Sequence, residues 1–424
     1  MEYPRVLIVS NECLSQSSSN GRTLLNFFVG WPKEKLAQFF IRKQAPDFDA
    51  CGQFYCVTDK QALNAFCCKG KSGGVLEKAA AEQAAQTATK PYSNKNALTA
   101  ICRELIWASN RWGCKELLQW VKDFDPQVIV LQAGDFGYMF RLARKLAETF
   151  KIPLVIYNSE GYYFKDYDYF QAKGLAHLLY PVQHRYFVRQ FRKTMAMTKH
   201  VVYICDMLRR DYEKEFSTLS DAIYTATTME PAEKKPHDGF VTSYLGNLSL
   251  CRHEPLIEIA NALQEIDPAL HLDVYGKPVK QEVQEALENC PGIRMMGFVP
   301  YEQVVEVMQQ SDLLVHGESG SPFYRKHLKY GFSTKIPDSL ASGTCFMVYA
   351  PAELACAQYL LEQKAAYVVS GEQEMKQTLR LLVTDPAARS RYLKRAAEVV
   401  SENHVAEVCA ERFQEILRKA AEKQ

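Results

Sequence analysis

Two series of short apolar runs, each followed by a stretch long enough for a helix, constrain the fold of this chain most strongly. The first series comprises residues 5–11, 36–41, 54–59, 127–132, 153–157 and 200–204. The second comprises residues 240–246, 270–276, 293–298, 312–317, 345–350 and 365–370. Apolar strands that alternate with helices are typical of parallel sheets covered on both faces. The pattern therefore predicts an α/β chain with two Rossmann-like, doubly wound domains in series.

Changes in composition mark the predicted domain boundaries. The first domain is expected to span residues 1–228, and an Ala-, Gln-, Lys- and Ser-rich stretch at about 70–95 is interpreted as a mobile insertion. Residues 229–239, which are rich in proline and charge, are the best linker candidate. The second domain then spans 240–402, and residues 403–424 form a C-terminal helix with apolar residues at helical spacing.

Composition excludes several other classes of protein. The chain has 424 residues, which favours two domains, and its 47% apolar content is that of a globular protein. A formal net charge of +2 argues against a bulk nucleic-acid binder. We see no apolar run of membrane-spanning length and no signal-peptide pattern at the start. The thirteen cysteines are scattered and include no C-x-x-C, so we expect reduced thiols, no metal site and a cytoplasmic location.

Acidic residues follow two predicted strands of the first domain. Asp135 stands between two glycines after 127–132, and Glu160 follows 153–157. Ligands of open α/β sheets bind outside the carboxyl ends of the strands, so both side chains are expected to face a cleft between the domains. They are candidates for binding a hydroxylated ligand or for handling a proton. For Asp135, capping of the next helix is the alternative.

The loop after the first strand, residues 10–23, is dense in hydroxyls and amides and ends at Asn20 and Gly21. One interpretation is a helix N-cap, which serine and asparagine supply well. The other is close approach of a polar ligand to the backbone at Gly21. The loop is not a G-x-G-x-x-G sequence, so it does not carry the usual dinucleotide fingerprint.

Strand ends of the second domain carry a denser set of polar residues. Arg252 stands at the beginning of a predicted helix, where a cation opposes the helix dipole unless an anion lies nearby. His316 and Glu318 flank the glycine that ends another strand. His316 could bond a donor hydroxyl or cap its turn. Phe298 and Val299 follow a third strand, where backbone groups can pair with the edge of a flat base.

The stretch "GFSTKIPDSLASG", residues 331–343, places polar groups at the start of an apolar helix. Ser333, Thr334 and the backbone amides predict an anion site at that helix start. Lys335 adds a positive charge for a diphosphate, and Asp338 can accept from two vicinal hydroxyls of a ribose. The alternative is a capped helix with a solvated lysine. The convergence of Arg252 and Glu318 on the same strand ends favours a nucleotide-diphosphate site.

The order "YLGNLSLCR", "GIRMMGFVPYEQV", "SDLLVHGES" and "STKIPDSLASG" resembles the donor half of the retaining GT-B glycosyltransferases of family four. The first domain resembles the acceptor half of that family through "NGRT" and "CDMLRRDY". The resemblance covers most of residues 5–65 and 100–415. Two departures stand out. Asn247 follows Gly246 where the family usually has arginine, and the loop between the paired acids Glu318 and Asp338 is unusually long.

The resemblance implies a GT-B fold with two domains facing across a cleft and a final helix that crosses back to the first domain. It implies a metal-independent hexosyltransferase that has no cofactor and retains configuration at the anomeric carbon. The nucleotide-sugar donor is a co-substrate, and the acceptor is a glycan or lipid-linked sugar, as in cell-surface polysaccharide synthesis. The donor-binding candidates are Gly246, Asn247, Tyr275, Phe298, Val299, His316, Ser333, Thr334 and Asp338. The catalytic candidates are Glu318, Arg252, Lys335 and Asp135, and the acceptor-side candidates are Asn20, Gly21 and Glu160.

Arg252 and Lys335 would stabilise the leaving diphosphate, whereas Glu318 or Asp135 would stabilise a sugar that becomes cationic. Two other functions stay open: a nucleotide-sugar epimerase or hydrolase of the same fold, and a non-catalytic GT-B partner protein. Residues 180–195 form a basic amphipathic pattern. That pattern predicts either peripheral contact with the anionic inner face of a membrane or an ordinary surface helix.

Overall fold

The computed structural model describes residues 3–16, 18–69, 73–78, 95–231, 237–278 and 280–422. The chain divides into two compact units. The first contains Met1–Tyr224 together with Ala406–Gln424, and the second contains Thr225–Val405. The predicted linker at 229–239 and the predicted insertion at 70–95 lie partly outside the described residues.

The first unit is built on one sheet. Its strands are β1 (Val6–Ser10), β2 (Leu36–Phe40), β3 (Gln53–Cys56), β4 (Gly74–Val75), β5 (Val128–Gln132), β6 (Leu154–Asn158), β7 (Thr198–Tyr203) and β8 (Leu219–Ala222). Its helices are α1 (Ser19–Phe27), α2 (Asp59–Phe66), α3 (Ala97–Ala108), α4 (Cys114–Phe124), α5 (Gly137–Phe150), α6 (Leu175–Leu178), α7 (Tyr180–Met195), α8 (Asp206–Glu213) and, from the end of the chain, the helix Ala406–Ala421. The strand order is β4-β3-β2-β1-β5-β6-β7-β8, and the pairs are parallel except β3 with β4.

The second unit has its own parallel sheet. Its strands are β9 (Thr242–Leu245), β10 (Leu272–Tyr275), β11 (Ile293–Met295), β12 (Leu313–Gly317), β13 (Cys345–Tyr349) and β14 (Tyr367–Val369), in the order β11-β10-β9-β12-β13-β14. Its helices are α9 (His253–Ile266), α10 (Gln281–Glu288), α11 (Tyr301–Gln309), α12 (Pro322–His327), α13 (Lys335–Ala341), α14 (Ala355–Gln363), α15 (Glu372–Thr384), α16 (Pro386–Ser390) and α17 (Leu393–Asn403). The final helix, Ala406–Ala421, is α18.

Both sheets contain a point where the strand order reverses. It lies between β1 and β5 in the first unit and between β9 and β12 in the second. Loops that leave two such strands diverge to opposite faces of the sheet and open a crevice at the carboxyl edge. The loops after β9 and β12 therefore form the expected ligand crevice of the second unit.

The prediction of two parallel α/β sheets is confirmed. Every predicted strand is present, because a strand covered on both faces is apolar at successive positions, as the fully buried β5 and β12 are. Two edge strands were missed. β4 has only two residues, and β8 leaves Leu219 69% exposed, so neither carries the continuous apolar signal.

The final helix, α18, packs in the first unit. The ring of Phe413 stacks on that of Phe27 in α1 with a centroid distance of 4.4 Å. The Gln414 side-chain amide donates to the Val29 carbonyl at 2.8 Å. These contacts bury one face of α18 against α1, and the apolar spacing of the helix is explained by this packing.

A buried histidine joins two distant segments of the second unit. The His404 Nδ1–H donates to the Thr225 carbonyl at 2.8 Å, and its Nε2 accepts from the Tyr359 hydroxyl at 2.8 Å. The Thr227 amide donates to the His404 carbonyl at 2.8 Å. Burial disfavours the charged ring and lowers the pKa of His404 to about 4, although the Thr225 carbonyl opposes that shift.

The first unit contains a buried acid with the opposite behaviour. The Glu104 carboxylate accepts from the Tyr138 amide at 3.1 Å, in the first turn of α5. Burial raises the pKa of Glu104 to about 7, even though the hydrogen bonds from Tyr138 and Gly137 and the positive charge of Arg141 lower it. Glu104 therefore stabilises the start of α5 from a neighbouring helix.

These two groups predict opposite dependences of stability on pH. Between about pH 4.5 and 6.5 the unfolded chain takes up a proton at His404 that the folded chain rejects, so acidification destabilises the fold. Over about the same range the folded chain keeps a proton on Glu104 that the unfolded chain loses, so acidification stabilises the fold. Each pKa shift corresponds to a change of about 3 kcal/mol in the free energy of unfolding, at 1.36 kcal/mol per pKa unit.

Denaturant unfolding measured from pH 7 down to pH 4.5 tests both assignments. As the pH falls, His404→Gln should gain stability relative to the parent, and Glu104→Gln should lose stability relative to it. Parallel curves for both variants and the parent would contradict the assignment.

Candidate functional site

A buried ion pair crosses the crevice of the second unit. Arg252, at the N-cap position of α9, donates from Nε and Nη2 to the two carboxylate oxygens of Glu318 at 2.9 and 2.7 Å. His316, near the end of β12, donates from Nε2 to the same carboxylate at 3.0 Å. The structure therefore brings together three residues that the sequence had placed separately at strand ends.

The charge state of this cluster follows from its surroundings. Burial by itself raises the pKa of the Glu318 carboxyl, but its hydrogen bond and electrostatic interaction with His316 and the charge of Arg252 together lower it to about 2. Burial also tends to lower the pKa of Arg252, and Glu318 more than offsets this and raises it. The site consequently holds an ionised carboxylate and a guanidinium within the protein interior.

The chain enters Arg252 through a strained turn. Leu250 and Cys251 both have left-handed backbone conformations, with φ of 61° and 56°. Side chains other than glycine adopt this region at a cost of roughly 1 kcal/mol or more per residue, and such strain clusters at functional sites. The turn directs Arg252 back towards Glu318 before α9 begins.

Glycines allow the loops after β9 and β10 to approach each other. A Cβ on Gly276 would lie 2.4 Å from the Gly246 carbonyl oxygen, which is closer than any side chain permits. The Gly246 amide also donates to the Tyr275 carbonyl at 3.0 Å. The Asn247 side chain accepts from the Ser249 amide at 2.7 Å, so it shapes the turn at the position where the resembling family has arginine.

The backbone amides in the first turn of α13 differ from the predicted anion site. The Lys335 amide donates to the Ser333 hydroxyl at 3.3 Å, and the Ile336 amide donates to the Ser333 carbonyl at 3.1 Å. Pro337 has no N–H, and the Thr334 side chain makes no capping hydrogen bond. The first-turn amides predicted to bind an anion are thus already bonded or missing, and Lys335 is the cationic residue of this turn.

Asp338 lies deeper than the sequence suggested. It is buried, and its Oδ1 accepts from the Thr227 hydroxyl at 2.6 Å. That hydroxyl also accepts from the Met229 amide at 3.0 Å. Thr227 was not a sequence candidate, because nothing in its local pattern indicates a contact with a residue more than a hundred positions away. Asp338 therefore links α13 to the segment that begins the second unit.

The other donor candidates lie at the ends of β10 and β11. Phe298 is 77% exposed, and Val299 beside it is half-buried. Tyr275 is also half-buried. An exposed aromatic ring at a strand end can stack on a nucleobase or a sugar.

The long loop after Glu318 is a structured element. It contains α12, and Arg325 in that helix forms an ion pair with Glu353. The Ala355 amide donates to the Lys329 carbonyl at 2.8 Å, and the Ser319 hydroxyl donates to the Glu254 carboxylate at 2.7 Å. These bonds attach the loop to α9, to the turn before α14 and to the start of α14.

The first-unit acids share one cluster. Lys165 donates to the Glu160 carboxylate at 3.5 Å, and its ammonium lies 5.2 Å from the ring centroid of Tyr169. The Tyr169 hydroxyl donates to Asp135 at 3.3 Å. Lys165 is buried and was missed in the sequence, although a lysine among aromatic residues at 162–170 was a usable signal. Asp135 does not cap α5, because the carboxylate of Glu104 accepts from the first turn instead.

The loop after β1 has the geometry of a helix cap. The Ser18 hydroxyl accepts from the Gly21 amide at 3.1 Å. A Cβ on Gly21 would lie 2.5 Å from the Cys13 carbonyl oxygen, so this glycine is required by the folding of its own loop. Asn20 is exposed.

Comparison with known proteins gives one family match. Residues 252–418 match a family model described as glycosyl transferase-like. The matched stretch begins at Arg252 and includes Glu318, Lys335 and Asp338. No curated protein sequence matches the chain.

Solved structures resemble the whole chain in fold. Anabaena Alr3699/HepE in complex with UDP and glucose has a TM-score of 0.64 at 11% identity, over 98% of this chain and 100% of that one. A glycosyltransferase from Rickettsia africae has a TM-score of 0.61 at 10% identity, over 100% of both chains. A mutant of S. aureus TarM in complex with fondaparinux, alpha-GlcNAc-glycerol and UDP has a TM-score of 0.52 at 12% identity, over 72% of this chain and 58% of that one. The chain thus has the GT-B fold, and residues 252–418 carry a glycosyl transferase-like sequence.

Proposed function

We propose that this protein is a retaining glycosyltransferase of the family-four type. It moves a hexosyl group from a nucleoside-diphosphate donor to a glycan or lipid-linked acceptor, without a bound metal. The observation that carries the proposal is the buried Arg252–Glu318–His316 cluster at the crevice of the sheet, within the stretch that matches the glycosyl transferase-like family. Retention and family-four membership rest on the order of motifs in the sequence.

Two cations are proposed to stabilise the leaving group. During transfer the bond between the anomeric carbon and a phosphate oxygen breaks, and the diphosphate gains negative charge. Arg252 gives two of its five N–H donors to Glu318, so the guanidinium can still donate to a phosphate oxygen. Lys335 stands at the start of α13. Fixed positive charge in a partly buried crevice stabilises such a leaving group strongly.

Glu318 is suited to the sugar side of the reaction. Its carboxylate is ionised and immobilised by Arg252 and His316, so it offers a preorganised negative potential to a sugar that becomes cationic. The acceptor hydroxyl forms the new bond to the anomeric carbon and transfers its proton to the departing diphosphate, whose oxygen becomes basic as its bond to that carbon breaks. The first-unit cluster of Asp135, Glu160 and Lys165 is the candidate for binding that hydroxylated acceptor.

We expect one class of nucleotide sugar to raise the melting temperature of the intact chain. The panel is UDP-, GDP-, ADP- and TDP-sugars, beginning with UDP-glucose because the HepE complex contains UDP and glucose. A ligand at a hundred times its dissociation constant adds about 2.7 kcal/mol to stability, which corresponds to a rise of roughly 5–10 °C for a domain of this size. The shift should shrink in Lys335→Ala and in Asp338→Ala.

The control is Lys394→Ala, which changes a lysine of α17 in the same unit and should leave the shift intact. Equal rises in melting temperature for Lys335→Ala and the parent would show that the donor does not bind at α13. A shift without sugar transfer to any acceptor would favour the non-catalytic partner, and release of free or epimerised sugar would favour the hydrolase or epimerase.

A further inference from the structure

Helix α3 of the first unit has an unusual distribution of polarity. Its two charged residues point inward: Arg103 pairs with Asp59 at 2.8 Å, and Glu104 bonds to the start of α5. Leu98, Cys102 and Leu105, at successive helical turns, are exposed, and Leu105 is 62% exposed. A surface helix normally exposes its charged residues and buries its apolar ones. The exposed apolar face of α3 is therefore a candidate for contact with a partner or a membrane.

Helices α6 and α7 extend this apolar surface. Both pack against α3. Leu175, Leu178 and Val182 are exposed and recur at helical spacing, and Leu178 is 71% exposed. The same spacing continues along α7 to Arg185 and Arg189, both of which are exposed. One stripe therefore changes from aliphatic to cationic along its length.

The exposed charged residues that belong to these three helices are all positive. Among the residues of α3, α6 and α7, all of which the structure describes, Glu104 is the one acid, and it is buried. Exposed Lys173 precedes α6, and exposed Lys193 lies near the end of α7. Acids lie at the margin of the surface, where Glu215 pairs with Arg192 at 3.2 Å and Asp168 with His177 at 3.0 Å, but none lies on the stripe itself. Aliphatic side chains beside exposed arginines on one stripe match the interface of a bilayer that contains anionic lipid.

We propose that α3, α6 and α7 form a docking surface for an anionic lipid bilayer, with Leu105, Leu175, Leu178 and Val182 entering the headgroup region and Arg185 and Arg189 contacting lipid phosphates. The docking is peripheral, with the helices lying in the plane of the membrane surface. Among the residues that the structure describes, no helix combines the length and the apolar character needed to span a bilayer. This inference is independent of the proposed glycosyltransferase activity, since it rests on another surface and is tested by binding alone.

The test is co-sedimentation of the full chain with phosphatidylcholine vesicles that do or do not contain about one third phosphatidylglycerol, at roughly 0.1 M salt. The parent should bind only the anionic vesicles. Arg185→Glu/Arg189→Glu should weaken binding on the order of ten-fold or more, and Leu105→Ser/Leu178→Ser should weaken it comparably. The matched controls are Arg380→Glu/Lys364→Glu and Leu219→Ser/Leu361→Ser, which change residues elsewhere on the chain and should bind as the parent does.

Circular-dichroism melts check that each variant is folded. Absence of binding by the parent, or equal losses in the surface variants and their controls, would overturn the proposal. Sedimentation velocity distinguishes the rival occupant: a parent dimer that Leu105→Ser/Leu178→Ser converts to a monomer, without vesicle binding, would assign the surface to a second copy of the chain.

Discussion

Lys335→Ala is expected to lower kcat/KM for sugar transfer by about 10²–10³-fold, as removal of one preorganised charge-stabilising donor typically does. In the proposed site, Lys335 carries the charge stabilisation that the sequence assigned jointly to Lys335 and the backbone amides. The first-turn amides of α13 either donate to Ser333 or are absent at Pro337, so they cannot replace the lost ammonium. Because the charge on the diphosphate grows as the bond breaks, kcat should fall more than donor affinity does.

Steady-state kinetics, run with the donor that the thermal-shift panel identifies, measure the expected losses in kcat and kcat/KM directly. Lys335→Arg, which keeps the charge, should recover part of the rate, and Lys394→Ala should match the parent. An unchanged kcat with only a raised KM would show that Lys335 binds the donor equally in the ground and transition states. That outcome would remove it from the catalytic role.

Arg252→Leu should destabilise the second unit by about 3–5 kcal/mol as well as abolish transfer, because the substitution leaves the Glu318 carboxylate buried without its guanidinium partner. His316 still donates to that carboxylate, so the expected loss arises from the missing guanidinium charge and its two hydrogen bonds. Denaturant unfolding of the intact chain measures this loss, preferably by a probe in the second unit, since two units need not unfold together.

The double variant Arg252→Leu/Glu318→Gln separates the charge from the packing. Neutralising the carboxylate should restore at least half of the lost stability while activity stays absent. If single and double variants are equally unstable, the cost arises from lost packing of the arginine stem, and the buried ion pair is not the stabilising feature.

The strands were predictable because their signal is local. Parallel strands such as β5 and β12 are buried on both faces, and each run of apolar letters identifies one of them without knowledge of its neighbours. The carboxyl ends of the strands then indicate where functional side chains belong. Arg252, His316 and Glu318 were found in this way, each from its position after or near the end of a strand.

Contacts between distant segments were not predictable. Arg252 and Glu318 are 66 positions apart, and Thr227 and Asp338 are 111 apart. The sequence assigned Asp338 to a ribose, and it could not show that the carboxylate also accepts from the hydroxyl of Thr227. Glu104 was not singled out from the sequence, although its carboxylate accepts a hydrogen bond from a backbone amide of another helix. Such pairings depend on how helices pack, which a pattern of residue types does not encode.

Hydrogen–deuterium exchange of the intact chain, with and without the nucleotide sugar that stabilises it, tests the central claim most directly. The account predicts slower exchange in the loop around residues 246–252, at the end of β12 near 316–318 and at the start of α13 near 333–338, because a bound donor restrains the segments it contacts. Protection confined to other parts of the chain, or no protection with any nucleotide sugar, would contradict a donor site at the crevice of the second unit.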